Sequence, residues 1–258
     1  MRLVISDLDV CFGARRVVSI GTLAVGEAEI VGLAGESGSG KSMTTLAVLG
    51  LAHTLGATVT GSIKLDGAEL TGLSQRELRE VRGRRIAAIF QSPSSAFSPV
   101  FRVGSVMNRA LRLHGMTSAE AAGAASRAMR QVLLSPDLLH RFPSQLSGGQ
   151  LQRVAIAIAL ALRAEVLLAD EPTSALDVTV QAEVLELLAG LRDTEGMSVL
   201  FISHDLAVVA ELCDRVAIMA EGRIVEQGPT GQVLSAPRDP YTAELLASVP
   251  RIGMGTGP

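Results

Sequence analysis

The sequence predicts an α/β fold whose core is a parallel sheet, with a mostly helical insertion in the middle of the chain. Short apolar runs typical of buried parallel strands alternate with helical patterns in the first 91 residues and again after residue 162. Residues 92–162 contain helical patterns and no convincing strand. The 258 residues show no internal repeat, which favours a single unit with one insertion.

The individual elements follow from periodicity and from capping residues. Strands are predicted where apolar residues alternate with polar ones or form short runs, at Leu3–Phe12, Ile30–Ala34, Ser62–Leu65, Arg85–Phe90, Glu165–Ala169, Ser198–Ile202 and Arg215–Met219. Helices are predicted where a cap precedes a helical pattern, from Lys41 to about Leu51, after Ser74, after Thr117, from Ser147 towards Leu162, at Val178–Arg192 and from Asp239-Pro240 onwards. The chain then divides into a core (1–91 and 163–236), a helical unit (92–162), and a C-terminal helix and tail (237–258) in which Gly253–Pro258 should fray.

Composition and charge exclude several classes of protein. The apolar content of 48% excludes disorder, and the formal charge of −3 argues against a protein that coats nucleic-acid phosphate. The longest apolar run, Val154–Leu162, is shorter than the roughly 18–20 residues of a membrane span. Asp7 and Asp9 interrupt the N-terminal stretch, which does not resemble a signal peptide, and two cysteines are too few for a disulfide framework. We expect a cytosolic chain.

Residues 35–42 match the phosphate-binding loop pattern, and they lie between a predicted buried strand and a predicted helix. Glycines let backbone N–H groups turn towards a polyphosphate, and the helix N-terminus adds a positive dipole end. Lys41, one of two lysines in the chain, is expected to reach the β- and γ-phosphates, while the Ser42 hydroxyl holds Mg²⁺. The predicted ATP-binding residues of this segment are Gly35, Glu36, Ser37, Gly38, Ser39, Gly40, Lys41, Ser42 and Met43.

A second segment with candidate functional residues is the apolar run from Val166, which ends in two carboxylates, Asp170 and Glu171. This pattern places both side chains at the carboxyl edge of the sheet, where α/β proteins bind ligands. Asp170 is expected to hold Mg²⁺ through water, and Glu171 to orient or deprotonate the attacking water. The two segments together predict ATP hydrolysis.

A third candidate segment, Leu146-Ser147-Gly148-Gly149-Gln150, precedes an apolar helix. Ser147 is a natural N-cap, and the two glycines leave backbone N–H groups of the helix start open to an anion. A chain with two phosphate sites for one nucleotide is explained if two chains sandwich the nucleotide between them.

At this point the sequence resembles the ATP-binding subunits of ABC transporters over nearly its whole length. Residues 146–150 are similar to the family signature LSGGQ without substitution. The resemblance implies a P-loop (RecA-like) core with an N-terminal antiparallel β-subdomain, a single cassette over residues 1–258, and ATP held between the loop of one cassette and Ser147–Gln150 of the other. It also implies roles for four further residues: Gln91 as a Q-loop glutamine near Mg²⁺ and the attacking water, His204 as the switch histidine, Asp177 in the D-loop, and Phe12 stacked on adenine.

Longer motifs resemble the oligopeptide, dipeptide and nickel importer group. These are Gln91-Ser92-Pro93 with the stretch from Ser95 to Pro99, residues 169–181, and the tail Pro240–Leu246. This resemblance implies two separate membrane permeases, a second homologous ATPase chain (a heterodimer, with a homodimer as the alternative) and an extracytoplasmic binding protein. It places the chain on the cytoplasmic face of the inner membrane and leaves the cargo to the other subunits.

Two alternatives to the importer remain at this point. One is the ATPase of an ABC exporter with separate membrane chains, against which the tail motif argues. The other is a soluble, non-transport ABC ATPase that acts on DNA or ribosomes. The arginines between Arg76 and Arg85 could form a nucleic-acid patch, but Glu77 and Glu80 interrupt them, so we expect a solvated helix face and no nucleic-acid partner.

Overall fold

The computed structural model describes residues 1–92 and 97–248 and confirms the α/β class. The described strands are β1 (Leu3–Phe12), β2 (Arg15–Val25), β3 (Ile30–Ala34), β4 (Thr58–Leu65), β5 (Ala68–Glu69), β6 (Ile86–Ile89), β7 (Val166–Asp170), β8 (Ser198–Ser203), β9 (Arg215–Ala220) and β10 (Arg223–Pro229). The described α-helices are α1 (Lys41–Val48), α2 (Gln75–Val81), α3 (Val103–Leu113), α4 (Ser118–Gln131), α5 (Gly148–Ala161), α6 (Val178–Glu195), α7 (Leu206–Leu212), α8 (Thr230–Ser235) and α9 (Pro240–Ser248). Every strand predicted from the sequence is present, with ends that differ by a few residues.

A six-stranded sheet in the order β10-β9-β3-β8-β7-β6 forms the centre of the molecule. Its strands from β9 to β6 are parallel, and β10 adds an antiparallel edge. Alternate residues of β3 pack into different cores: Ile30 faces one cluster that includes the inserted helices, and Val31 faces another that includes the second sheet. Both faces are therefore buried, which explains the continuous apolar runs of the strands.

The second sheet is antiparallel, in the order β2-β1-β4-β5, as the resemblance implied for the N-terminal part. Strand β2 was not predicted. Its buried residues are Val18 and Ile20, then Leu23 and Val25, with two exposed residues between the pairs. The apolar alternation therefore changes phase within one strand, which hides the strand from a search for strict alternation.

The described residues of the insertion, 97–162, form helices and no strand. The predicted caps are present: Thr117 begins α4 and Ser147 begins α5, and each forms a capping box, with Glu120 and Gln150 respectively. Across the described part of the chain, no helix combines the length and the apolarity that crossing a membrane requires. The predicted fraying of Gly253–Pro258 lies outside the described residues, as do Pro93 and Ser95 of the stretch that follows Gln91.

The expected solvated helix face is present at Arg76 and Arg79, which are exposed on α2, but Arg82 and Arg85 are half-buried and make specific contacts. Arg82 donates from Nε to the carbonyl of Leu49 (2.7 Å) and from Nη2 to that of Gly50 (3.0 Å). These bonds satisfy carbonyls that follow α1. The helix ends at Val48 rather than at Leu51, because Gly50 is left-handed and the N–H of Leu51 bonds back to the carbonyl of Leu46. Further along, Arg84 donates to the carbonyl of His114, and Arg85 pairs with Asp66 and Glu165.

Candidate active site

The phosphate-binding loop connects β3 to α1, as predicted. Gly35 is required at its start, because a Cβ there would lie 2.1 Å from the carbonyl oxygen of Met219 on β9. The ammonium of Lys41 is buried and donates to the carbonyls of Gly35 (2.8 Å) and Glu36 (2.7 Å). Burial lowers the pKa of Lys41, although the charges of the nearby carboxylates oppose this effect. The loop thus keeps its cation beside the space that a polyphosphate would occupy.

Asp170, the last residue of β7, lies directly across from the start of α1. The Ser42 hydroxyl donates to Asp170 Oδ1 at 3.0 Å, and only 5% of Asp170 is exposed. Burial raises the pKa of Asp170; the hydrogen bond from Ser42 opposes this, and the neighbouring charge of Glu171 adds to it. The charge of Lys41 also lowers the pKa of Asp170, and a cation bound beside this carboxylate would further offset the cost of burying its charge.

Ser42 and Asp170 are chemically suitable ligands for Mg²⁺. A hydroxyl and a carboxylate supply the hard oxygen atoms that Mg²⁺ prefers, and Mg²⁺ normally keeps several waters and binds substrate phosphates as well. Within the described ranges, no group of three or more His, Cys, Asp or Glu side chains is placed to hold a metal ion by itself. The arrangement therefore suits an ion that the protein holds through few ligands together with a nucleotide.

Three predicted catalytic residues come together at the carboxyl ends of the neighbouring strands β6, β7 and β8. Glu171 follows β7, and its carboxylate is held on both sides. Gln91 Nε2 donates to Oε2 at 2.9 Å, and His204 Nδ1 lies 3.1 Å from Oε1. The backbone N–H of Glu171 donates to the carbonyl of Ile202 on β8, which fixes the base of the side chain. Adjacent parallel strands thus place three residues that are far apart in sequence around one carboxylate.

A cavity of about 660 Å³ lies over the phosphate-binding loop. Most of the predicted ATP-binding residues line it, namely Phe12, Gly35, Glu36, Ser37, Gly38, Gly40, Lys41, Ser42 and Met43, together with Gln91, Glu171 and His204. Ser39, within the loop, is buried, and its Oγ lies 3.4 Å from Lys41 Nζ. Phe12 is half-buried at the end of β1, at the rim of this cavity, beside Val17.

Residues of the third motif lie elsewhere on the chain. Ser147 caps α5 by accepting from the N–H of Gln150 (3.2 Å), and Gln150 Oε1 accepts from the N–H of Ser147 (3.0 Å). Ser147 and Gly148 are exposed, while Gly149 is buried. Among the described residues, none of this motif lines the 660 Å³ cavity. One chain therefore does not bring this motif to its own phosphate-binding loop.

The start of α5 packs against the loop that precedes α6. A Cβ on Gly149 would lie 2.2 Å from Cγ1 of Val180, and one on Gly148 would lie 3.6 Å from Leu176. Asp177 is the N-cap of α6 and accepts from the N–H of Val180 at 3.0 Å. Asp177 is exposed at this junction.

Sequence reasoning missed two contacts from the C-terminal helix α9. The Tyr241 hydroxyl accepts a hydrogen bond from the backbone N–H of Glu36 at 3.3 Å, and Leu245 lines the 660 Å³ cavity. The tail motif Pro240–Leu246 was noticed, but only as a marker of a transporter group. A predicted helix so far along the sequence carries no sign of where it will pack.

A phosphate-binding loop on a parallel sheet, with an aspartate and a glutamate at the end of a neighbouring strand, defines a P-loop nucleotide-binding ATPase. A family model described as "ABC transporter" matches residues 20–174, which is more than half of the chain. The chain belongs to the ABC transporter family and is an ATP-binding cassette.

Two relatives show the range of similarity. A probable peptide ABC transporter ATP-binding protein of Sinorhizobium fredii is 48% identical over 226 residues, which cover 86% of this chain and 68% of that protein. The glutathione import ATP-binding protein GsiA of Salmonella paratyphi A is 45% identical over 245 residues, covering 92% of this chain but 39% of GsiA. The chain thus spans well under half the length of GsiA.

Solved structures agree on the fold. A dimeric structure of the ATP-binding cassette MJ0796 in a post-hydrolysis state, bound to ADP and Pi, matches with a TM-score of 0.75 and 27% identity, covering 88% of this chain and 98% of that one. Clostridium perfringens cbiO1, part of the ABC transporter complex cbiONQ, matches with a TM-score of 0.79 and 25% identity, covering 97% and 96%.

Proposed function

We propose that this cassette is the ATP-hydrolysing subunit of an importer for di- or oligopeptides or for nickel-type metal complexes. The main observation in favour of ATP hydrolysis is the position of the Glu171 carboxylate. It lies between Gln91 and His204, beside the loop that contains Lys41. The import half is supported by the relatives, which include a probable peptide transporter subunit and a glutathione import subunit.

In the proposed reaction, water attacks the γ-phosphorus of ATP while the bond to the ADP oxygen breaks. Glu171 takes the proton of that water, and Gln91 and His204 position the water and the γ-phosphate. Lys41 neutralises the phosphate oxygens. Ser42 and Asp170, with Gln91 nearby, would hold Mg²⁺, which supplies further charge neutralisation when bound.

We further propose that two cassettes share each ATP. Residues Ser147–Gln150 of one chain, with the N–H groups of Gly148 and Gly149, would contact the nucleotide on the loop of the other, with Asp177 at the junction between the chains. The exposure of Ser147 and Gly148, and their position away from the 660 Å³ cavity of their own chain, support this arrangement. ATP would then favour the closed pair, and loss of the γ-phosphate would release it.

The proposed partners are two integral-membrane permeases, a second homologous ATPase chain and an extracytoplasmic binding protein. The second ATPase chain would make a heterodimer, and a second copy of this chain is the alternative. The cassette would lie at the cytoplasmic face of the inner membrane, held there by the permeases. No nucleic acid takes part in this scheme.

Two measurements test the proposal separately. Mass spectrometry of what co-purifies with the tagged chain from detergent-solubilised membranes should identify two multi-span proteins and a second cassette chain; recovery of the chain alone from the soluble fraction would contradict the importer. For the ATPase, Glu171→Gln should keep ATP binding and trap a closed pair without turnover. The exposed carboxylate of Glu186 gives the matched control, because Glu186→Gln should hydrolyse normally. Rapid turnover by Glu171→Gln would rule out its role as the base.

A further inference from the structure

The C-terminal helix α9 contacts the nucleotide site directly. Tyr241 and Leu245 are four residues apart and lie on the same side of this helix. The Tyr241 hydroxyl accepts from the N–H of Glu36 at 3.3 Å, and Leu245 forms part of the cavity wall over the phosphate-binding loop. One helix face therefore reaches both the backbone of the loop and the space above it.

The start of α9 is held by hydrogen bonds of the residues at and just before its first turn. The Glu226 carboxylate on β10 accepts from the N–H groups of Arg238 (2.9 Å) and Asp239 (3.1 Å). Asp239 in turn accepts from the N–H of Tyr241 at 2.9 Å. These bonds tie the start of the helix to the central sheet, so the Tyr241 hydroxyl is presented to the loop from a fixed base.

The residue that Tyr241 contacts also holds the phosphate-binding lysine. The N–H of Glu36 donates to the Tyr241 hydroxyl, and the carbonyl of Glu36 accepts from Lys41 Nζ at 2.7 Å. Loss of the bond to Tyr241 would free the backbone of Glu36, and with it the carbonyl that places the Lys41 ammonium. We propose that Tyr241 is a positioning residue for ATP binding, which holds the start of the phosphate-binding loop through the N–H of Glu36. This inference concerns the ATPase reaction and is independent of what the transporter carries.

The first test compares full-length variants. Tyr241→Phe removes only the hydroxyl acceptor and should raise the KM for ATP about two- to tenfold, the usual effect of one neutral hydrogen bond, with little change in kcat or in the thermal midpoint. Ser248→Ala removes another hydroxyl from the same helix, one that bonds within the helix to the carbonyl of Leu245, and should leave KM unchanged. An unchanged KM in Tyr241→Phe would overturn the proposal.

The second test uses the unsubstituted chain. Tyr241 is the single tyrosine and the chain has no tryptophan, so tyrosine emission reports on this residue alone. Magnesium tripolyphosphate fills the phosphate part of the site without an absorbing base. Its binding, shown by a raised thermal midpoint, should change the emission of Tyr241. Unchanged emission at a concentration that raises the thermal midpoint would refute contact between this residue and a ligand-responsive loop.

Discussion

Replacement of Gly149 by alanine tests why the third motif contains a glycine at this position. The backbone of Gly149 is not left-handed, so alanine can adopt its conformation. The obstacle is steric, because the added Cβ would lie 2.2 Å from Cγ1 of Val180, and this atom belongs to a branched side chain at the start of α6. Either the side chain or the start of α5 must move.

The size of the effect follows from that contact. Overpacking of a close site typically costs about 1–3 kcal/mol. For a chain of this size, each kcal/mol lowers the thermal midpoint by roughly 2–4 °C, so Gly149→Ala should lower it by about 2–12 °C. Val180→Ala alone removes two methyl groups from a half-buried side chain and should cost about 1 kcal/mol.

The assay is a double-mutant cycle read by thermal and denaturant unfolding. Val180→Ala removes the clashing atom, so the double variant should be more stable than Gly149→Ala alone, with a coupling energy of about 1–2 kcal/mol. ATPase activity of the double variant is measured beside its stability. If both stability and activity recover, the glycine is required for packing against Val180. If stability recovers without activity, the backbone at this helix start must be free of a side chain for the ATPase reaction.

Two results would refute the steric reasoning. One is a thermal midpoint of Gly149→Ala equal to that of the unsubstituted chain. The other is additivity of the two substitutions in the cycle. Gly190→Ala is the matched control, since a Cβ at that helical glycine meets no atom within 4 Å and should not lower the midpoint.

Three other predictions concern the loop, the chain–chain contact and an ion pair. Lys41→Ala should weaken nucleotide binding in a direct titration, because the loop loses its cation; unchanged affinity would contradict the role of Lys41. Ser147→Arg should leave ATP binding intact yet abolish hydrolysis at the partner's site, and normal turnover would exclude the shared site. Burial alone would raise the pKa of Asp66, but the hydrogen bond and charge of Arg2, with the charge of Arg85, bring it below the usual value. Because that stabilisation is lost as pH falls through the lowered pKa, Asp66→Asn should lower the thermal midpoint at pH 7, with a difference that shrinks below about pH 4; a difference independent of pH would refute the ion-pair argument.

The sequence predicted which residues would lie together at the candidate site better than it predicted the framework around them. Asp170 and Glu171 stand where the buried strand β7 ends, and Lys41 begins α1 after the glycine-rich loop that follows β3, so their positions follow directly from local sequence patterns. Gln91 and His204 required the family resemblance, because a single glutamine or histidine has no local pattern. The family assignment is independent of the residue roles, which stay predictions.

What the sequence could not predict depends on contacts between distant segments. Strand β2 was missed because its apolar alternation changes phase between Ile20 and Leu23. Arg82 donates to the carbonyl of Leu49 across 33 positions. Tyr241 reaches Glu36 across 205 positions, and neither neighbourhood indicates the other. Local periodicity holds no information on such pairings.

Neighbouring side chains of β8 pack into different cores of the molecule. Phe201 belongs to the core shared with the inserted helices, and Ile202 belongs to the core shared with the antiparallel sheet. Truncating Phe201 should therefore loosen amide protection in the helical insertion, and truncating Ile202 should loosen it in β1 and β4, although the two residues are one peptide bond apart. Because β8 leads directly to His204, which contacts Glu171, both cores border the strand that positions this histidine at the candidate site.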